Sequence, residues 1–181
     1  IYNRSRIHRD ICGAIRDTVG KDFPLLIKLN AQDFIDNGLT VPEAATAARL
    51  MAEAGLDAVE LSGGMIISGR LSPSRSKINT PEKEAYFREE ARWLREKVPI
   101  PLLLVGGNRS YEVAAALVAD GTADYISLSR PLIREPGLIR RWQEGDRRPA
   151  ACISDNLCFA PAFEGKGIYC VTRERETAKG K

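Results

Sequence analysis

One unit repeats along this chain: a short apolar run, then a loop, then a segment with the spacing of an amphipathic helix. The apolar runs are PLLIKL at 24–29, AVEL at 58–61, PLLLV at 101–105 and DYISL at 124–128. Apolar runs that alternate with helices are typical of parallel strands joined by crossover helices. We therefore expect an α/β fold with four parallel strands in sequence order and right-handed crossovers.

Capping and turn residues indicate where the helices begin and end. Ile7, Ile11 and Val19 stand at helical spacing before the first apolar run, and they predict a helix whose apolar face packs on the core. Thr40 is placed to cap a second helix, which Gly55 ends. Further helices are predicted from 80 to 97, from Ser110 to near Gly121, and as a short segment through Trp142.

The loops after the last two apolar runs favour one arrangement of the strands. Four buried parallel strands form either a doubly wound sheet or part of an eight-stranded barrel. Barrels bind phosphate at the loops after their last two strands, where backbone N–H groups at a helix start face the anion. Gly106 with Gly107, and Ser129 with Arg130, occupy these places. The alternative is that the glycines only permit a turn and that the arginine forms a surface ion pair.

Composition and charge restrict the class of protein. Hydrophobic residues make up 44% of the chain and charged residues 28%, and no stretch approaches the ~20 apolar residues of a membrane helix. The formal net charge of +3 is evenly spread and does not favour nucleic acid as a partner. The chain begins at Ile1 without a signal pattern. We expect a cytoplasmic protein with reduced thiols and without a membrane partner.

Five segments carry a resemblance to a known family. They are YNRSRI at 2–7, PLLIKLN at 24–30, VGGNRS at 105–110, ISLSRPLI at 126–133 and ACISDNLCF at 151–159. Together they resemble the old yellow enzyme (NADH:flavin oxidoreductase) family from its barrel's fourth helix through the fifth, seventh and eighth strands to a cysteine tail. The resemblance implies the C-terminal half, strands 5 to 8, of a (β/α)8 TIM barrel over residues 1–148, followed by a cysteine-containing tail over 149–181.

The same resemblance implies an activity for the intact protein. Members of the family pass hydride from NAD(P)H through FMN to an activated alkene, which is a small-molecule substrate. No segment matches the first half of the family, where the residues that bind the substrate carbonyl and the tyrosine that protonates the substrate lie. We therefore expect no catalytic residue in this half and no activity from the chain alone. His8 is expected to be a surface or packing residue of the first helix.

The resemblance also assigns cofactor-binding residues. Lys28 matches a basic residue near the pyrimidine edge of the flavin, where a cation stabilises the anionic reduced form. Asn108 matches a contact to the phosphate and ribityl chain. Ser129 departs from the glycine that is usual in the family, although a serine keeps the N–H group. The complete predicted set is Lys28, Gly106, Gly107, Asn108, Ser129 and Arg130.

The cysteine tail resembles the part of larger relatives that holds a [4Fe–4S] cluster with four cysteines. Cys152, Cys158 and Cys170 match three of those places, and Asp155 stands at the second. A carboxylate is a hard ligand where the cluster favours soft thiolate, so we expect neither a cluster nor another metal. The polar end TRERETAKGK, at 172–181, predicts a disordered or clipped terminus.

Two other functions share parts of this pattern. Another phosphate-binding TIM-barrel enzyme, acting for instance on a phosphorylated sugar, would have the same last two loops. A non-catalytic half-barrel would serve as an interaction module. In each case the first and last strands lack the neighbours that a closed barrel provides, which leaves open edges. We therefore expect either the missing N-terminal half of the barrel or a second copy of the chain, in a homo-oligomer, to cover the apolar surface.

Overall fold

The computed structural model describes residues 1–179 and contains one four-stranded parallel sheet in the order β1-β2-β3-β4. The strands are β1 Leu26–Asn30, β2 Ala58–Ser62, β3 Leu102–Leu104 and β4 Tyr125–Ile126. Backbone hydrogen bonds continue on both sides of β4, because the N–H groups of Asp124 and Ser127 donate to β3 carbonyl groups, each at 2.9 Å. The predicted order and parallel direction of the strands are confirmed.

Residues 1–179 contain eight α-helices. They are α1 Arg6–Val19, α2 Val41–Glu53, α3 Arg88–Arg95, α4 Tyr111–Ala119, α5 Arg130–Arg134, α6 Leu138–Gln143, α7 Phe159–Phe163 and α8 Val171–Lys179. Short 3-10 helices span Ile66–Leu71 and Pro81–Lys83. Thr40 caps α2 as predicted, with its N–H and hydroxyl groups donating to the Glu43 carboxylate at 3.1 and 3.0 Å. In this part of the chain, no helix has the length and apolar character needed to cross a bilayer.

The helix predicted over 80–97 is wrong, because residues 84–87 leave the helical path. Ala85 has a φ of +48°, and the Tyr86 N–H donates to the Gly106 carbonyl oxygen at 3.0 Å. The Phe87 side chain is fully buried in the core. The segment therefore exchanges helical hydrogen bonds for contacts with the loop after β3, and only α3 retains the predicted helix.

Two further predictions about the end of the chain need correction. The segment through Trp142 consists of two helices, α5 and α6, because Pro136 and Gly137 interrupt it. The polar terminus predicted as disordered forms α8 as far as Lys179, and Glu176 in α8 makes an ion pair with Arg134. Residues 180–181 of that prediction lie outside the described residues.

The core lies between one face of the sheet and the helices. Val59 and Leu61 of β2 are fully buried, as are Met51 of α2 and Leu94 of α3. Alternate residues of each strand point to this face, as expected for a pleated sheet. The core therefore forms between the helices and the sheet, as in a parallel α/β fold.

No helix within residues 1–179 covers the opposite face of the sheet. The register places Lys28, Glu60, Leu103 and Tyr125 side by side on this face, and Tyr125 is 60% exposed. This surface corresponds to the inside of a barrel, where the side chains of all strands would meet. It is mixed in character, because an ion pair between Lys28 and Glu60 lies among the apolar residues.

The predicted core face of α1 is wrong. Ile7 and Ile11 are 63% and 50% exposed, and Cys12 is the buried residue of this helix. The apolar residues do lie on one stripe of α1, but no element of the described chain covers this stripe. In a complete barrel α1 would also contact the preceding βα unit, so the exposed stripe suits that neighbour.

Gly64 fixes the insertion after β2, because a side chain at this position has no room. Gly64 has a φ of +78°, and a Cβ atom would lie 2.1 Å from the Leu71 carbonyl oxygen. We expect Gly64→Ala to lower the free energy of unfolding by about 3 kcal/mol or more, measured by urea denaturation. Gly121→Ala is the matched control, since its φ is +74° and its Cβ would meet nothing within 4 Å. Equal losses in the two variants would contradict the predicted clash.

Candidate functional site

A cavity of about 220 Å³ opens where the carboxyl ends of the strands meet. Five of the six predicted residues line it: Lys28, Gly107, Asn108, Ser129 and Arg130. Gly106 is not among the residues lining this cavity. The loops after β3 and β4 therefore lie side by side and share one cavity with the middle of β1.

Packing explains the two glycines after β3. Gly106 has a φ of +136°, and a Cβ there would lie 3.1 Å from the Phe87 ring. Gly107 has a φ of +75°, and a Cβ would lie 2.7 Å from the Tyr86 ring. Both positions favour glycine because of backbone conformation and the close approach of the 84–87 segment. Only Gly107 also lines the cavity.

The start of α4 is already occupied by a carboxylate. Glu84 is 2% exposed and accepts hydrogen bonds from the Arg109 N–H at 2.8 Å, the Ser110 N–H at 2.9 Å and the Ser110 hydroxyl at 2.6 Å. A helix start binds anions through such N–H groups. Glu84 thus takes the position that the sequence suggested for a phosphate at this helix. No pattern indicated it, because Glu84 falls inside a predicted helix.

Other backbone donors around the cavity remain free. Among residues 1–179, the N–H groups of Gly107, Asn108, Ser129 and Arg130 have no hydrogen-bond acceptor. N–H groups of successive residues in tight turns form concave sites for anions. The two loops thus provide four such donors, all from residues that line one cavity.

Asn108 has an unsatisfied oxygen. Its side chain is 2% exposed, and its Nδ2 donates to the Leu104 carbonyl oxygen at 2.8 Å. Its Oδ1 is buried, and no donor among the described residues reaches it. A buried acceptor without a donor costs about 1–3 kcal/mol. A ligand hydroxyl in the cavity would remove that cost.

Arg130 is held from one side. Its Nη1 donates to the Arg75 carbonyl oxygen at 2.8 Å and to Asn156 Oδ1 at 2.6 Å. Its Nε and Nη2 have no acceptor in the described part of the chain. The guanidinium is therefore oriented by the insertion and the tail while part of its fork stays available to an anion. Asn156 lies within the tail motif, but spacing alone did not connect it with Arg130.

Lys28 is paired rather than free. Its Nζ lies 3.0 Å from Glu60 Oε1, and the two residues face each other in the register of β1 and β2. The assignment of Lys28 as a flavin-binding cation did not include this partner. The signal was present, because β1 and β2 each carry one charged residue at their centre, and like positions in neighbouring parallel strands lie side by side.

The four cysteines are free thiols in the structure. Burial raises the pKa of Cys158, and the nearby Cys152 adds to this effect. Asp155 accepts a hydrogen bond from the Thr172 hydroxyl group. Within residues 1–179, no group of three or more His, Cys, Asp or Glu side chains is arranged to hold a metal ion.

Four parallel strands, with helices on one face and a cavity at their carboxyl ends, make up half of a (β/α)8 barrel. Residues 1–148 match the NADH:flavin oxidoreductase / NADH oxidase family. The chain belongs to this family.

Sequence relatives are much longer than this chain. The NADH oxidase of Thermoanaerobacter brockii is 31% identical over 157 residues, which cover 85% of this chain and 23% of the relative. The metal reductase of Desulforamulus reducens is 26% identical over 164 residues, which cover 90% of this chain and 24% of the relative. The chain thus spans about a quarter of the length of these relatives.

Solved structures share the same half-barrel. A complex of 2-naphthoyl-CoA reductase with 2-naphthoyl-CoA superposes with a TM-score of 0.78 at 26% identity, covering 94% of this chain and 26% of that chain. The old yellow enzyme homologue from Zymomonas mobilis has a TM-score of 0.57 at 23% identity, covering 78% and 37%. The predicted fold, the C-terminal half of a TIM barrel of the old yellow enzyme type, is confirmed.

Proposed function

We propose that the protein containing this chain is an FMN-dependent oxidoreductase that passes hydride from NAD(P)H to an activated alkene. One observation carries the proposal: unpaired N–H groups, the free donors of Arg130 and the unsatisfied Asn108 oxygen border one cavity. A phosphate and a hydroxyl-bearing chain, as in FMN, complement this arrangement. The family membership of the chain and the NADPH dehydrogenases among its relatives support the same function.

Each residue of the cavity has a part in this proposal. The Arg130 fork and the N–H groups of Gly107 and Ser129 bind the phosphate, and Asn108 Oδ1 accepts a hydrogen bond from a ribityl hydroxyl. Gly106 acts indirectly by admitting the segment that packs behind the loop. FMN, when bound, supplies a two-electron carrier between the nicotinamide and the substrate.

Lys28 is proposed to lie at the pyrimidine edge of the flavin. A cation there favours negative charge on the ring, and the carboxylate of Glu60 at 3.0 Å both holds the ammonium group in place and reduces its net field. The ion pair therefore sets how strongly this edge of the site attracts negative charge.

Several features of the whole protein are also proposals. We infer that the chain divides at residue 148 into the half-barrel and a tail, which the extent of the family match supports. The uncovered sheet face and the exposed α1 stripe suit one of two partners, the N-terminal half of a barrel or a second copy of the chain. The N-terminal half would also contribute the substrate-binding and proton-donating groups. Four free thiols agree with a cytoplasmic location.

Binding of FMN and riboflavin by the complete gene product tests the proposed function. We expect the purified protein to be yellow and to bind FMN at least about tenfold more tightly than riboflavin, because a single charge-assisted bond to phosphate contributes about 1.5–3 kcal/mol. Fluorescence titration of each flavin provides the measurement. A colourless protein that binds neither flavin would contradict the proposal and would favour another phosphate-binding barrel.

A further inference from the structure

A second and larger cavity lies beside the first. Its volume is about 920 Å³, and it opens between the insertion after β2 and the segment over residues 82–89. Ser74 and Tyr86 line both cavities and therefore form the wall between them. We call this second cavity the basic cleft. None of the roles proposed above for FMN uses it.

The basic cleft is lined by cations that lack carboxylate partners. No ion pair among the described residues involves any of them, whereas Arg92 and Arg95 nearby are paired. Two of the three acidic residues in its wall are engaged elsewhere, because Glu84 caps α4 and Glu89 pairs with Arg92 at 3.0 Å. The cations are Arg70, Arg75, Lys77, Lys83 and Arg88.

Arg75 packs against aromatic rings and has a partly buried side chain. Its guanidinium carbon lies 4.5 Å from the centre of the Tyr86 ring and 5.2 Å from that of Phe87. Its Nε is buried and has no acceptor within residues 1–179. Burial lowers the pKa of Arg75 despite the nearby charges of Tyr86 and Glu90. A partly buried guanidinium with a buried, unsatisfied donor is stabilised when an anion approaches.

The serines of the basic cleft indicate which anion fits. Ser72, Ser74 and Ser76 line it in alternation with Arg75 and Lys77 along one short segment. Hydroxyl groups interleaved with cations suit phosphate oxygens, which accept several hydrogen bonds at once. Several separate cations in a cavity of this size suit two linked phosphates better than one. We propose that the basic cleft binds the diphosphate group of a nucleotide ligand.

This site is linked to the candidate FMN site. The Arg75 carbonyl oxygen accepts the hydrogen bond from Arg130 Nη1, so the segment that forms the basic cleft also orients Arg130. Anion binding in the cleft does not depend on FMN. The assignment of the diphosphate to a nicotinamide coenzyme, in contrast, rests on the proposed function.

Calorimetric titration of the complete gene product with inorganic pyrophosphate tests the site. The double variant Arg70→Gln, Lys77→Gln removes two exposed cations of the cleft and is expected to weaken pyrophosphate binding by about tenfold or more. The matched control Arg6→Gln, Arg140→Gln removes two exposed charges, on α1 and α6, that have no ion-pair partner within residues 1–179. It is expected to bind pyrophosphate as the unaltered protein does. Orthophosphate and ADP are titrated in parallel.

The outcomes are distinct. Pyrophosphate binding that is absent, or equal in the unaltered protein and the cleft variant, would overturn the proposal. ADP that binds no more tightly than orthophosphate would overturn the assignment to a diphosphate. FMN titration of the same samples separates the diphosphate site from the proposed FMN function. Unchanged FMN affinity in the cleft variant shows that this variant is folded. Absent FMN binding with retained pyrophosphate binding would contradict only the proposed function.

Discussion

Replacement of Glu84 by alanine is expected to lower the free energy of unfolding by about 3–5 kcal/mol, because it removes a buried acceptor of three hydrogen bonds. The variant would leave the N–H groups of Arg109 and Ser110 unsatisfied at the start of α4. It would also disconnect the 84–87 segment from the loop that carries Gly107 and Asn108. Guanidinium denaturation followed by circular dichroism measures the loss.

Two related variants make this test specific. Glu82→Ala removes an exposed carboxylate two residues away and is expected to change stability by no more than about 0.5 kcal/mol. Glu84→Gln keeps one carbonyl acceptor and should fall between the unaltered protein and the alanine variant. A Glu84→Ala protein as stable as the Glu82→Ala protein would show that the start of α4 does not depend on this carboxylate.

In the complete gene product, Arg130→Ala is expected to raise the dissociation constant of FMN by roughly 10- to 150-fold, which corresponds to one lost charge-assisted interaction of about 1.5–3 kcal/mol. Riboflavin affinity should change much less, because riboflavin has no phosphate. The preference for FMN over riboflavin should therefore nearly disappear. Quenching of flavin fluorescence on titration provides both constants.

Arg140→Ala is the matched control for this prediction, since Arg140 is an exposed arginine on the neighbouring α6. We expect it to leave both flavin affinities unchanged. Asn156→Ala, which removes a partner that orients Arg130, should weaken FMN binding by a smaller factor than Arg130→Ala. Equal FMN affinity in the unaltered and Arg130→Ala proteins would contradict the role of this arginine in phosphate binding.

The fold was predictable because its signals are local. Each apolar run overlaps one strand, and Thr40 with Glu43 caps α2 through groups three residues apart. The failures arose where tertiary contacts override local pattern. Residues 84–87 have helical spacing but fold into the loop after β3, and the α1 stripe lacks a covering element within the described chain.

The candidate site also has a part that local sequence signals predict and a part that depends on tertiary contacts. The cavity-lining residues Asn108 and Arg130 each come four positions after the end of a strand. Their sequence positions therefore indicate that they meet at one edge of the sheet. Three other contacts join residues far apart in the chain. Glu60 pairs with Lys28 across 32 positions, Glu84 with Arg109 across 25, and Asn156 with Arg130 across 26. Such pairings depend on register and on loop paths that no short motif encodes.

The hydrogen bond from Arg130 to Asn156 also bears on how the site is completed during synthesis. Chains emerge from the ribosome starting at the N-terminus, and their earlier parts begin to fold first. The four strands are all present by residue 126, but the side chain that fixes the guanidinium fork comes 26 residues after Arg130. The nascent sheet therefore precedes a fully oriented Arg130 side chain, and a chain that ends before Asn156 would have all four strands but an Arg130 guanidinium held only by the Arg75 carbonyl oxygen.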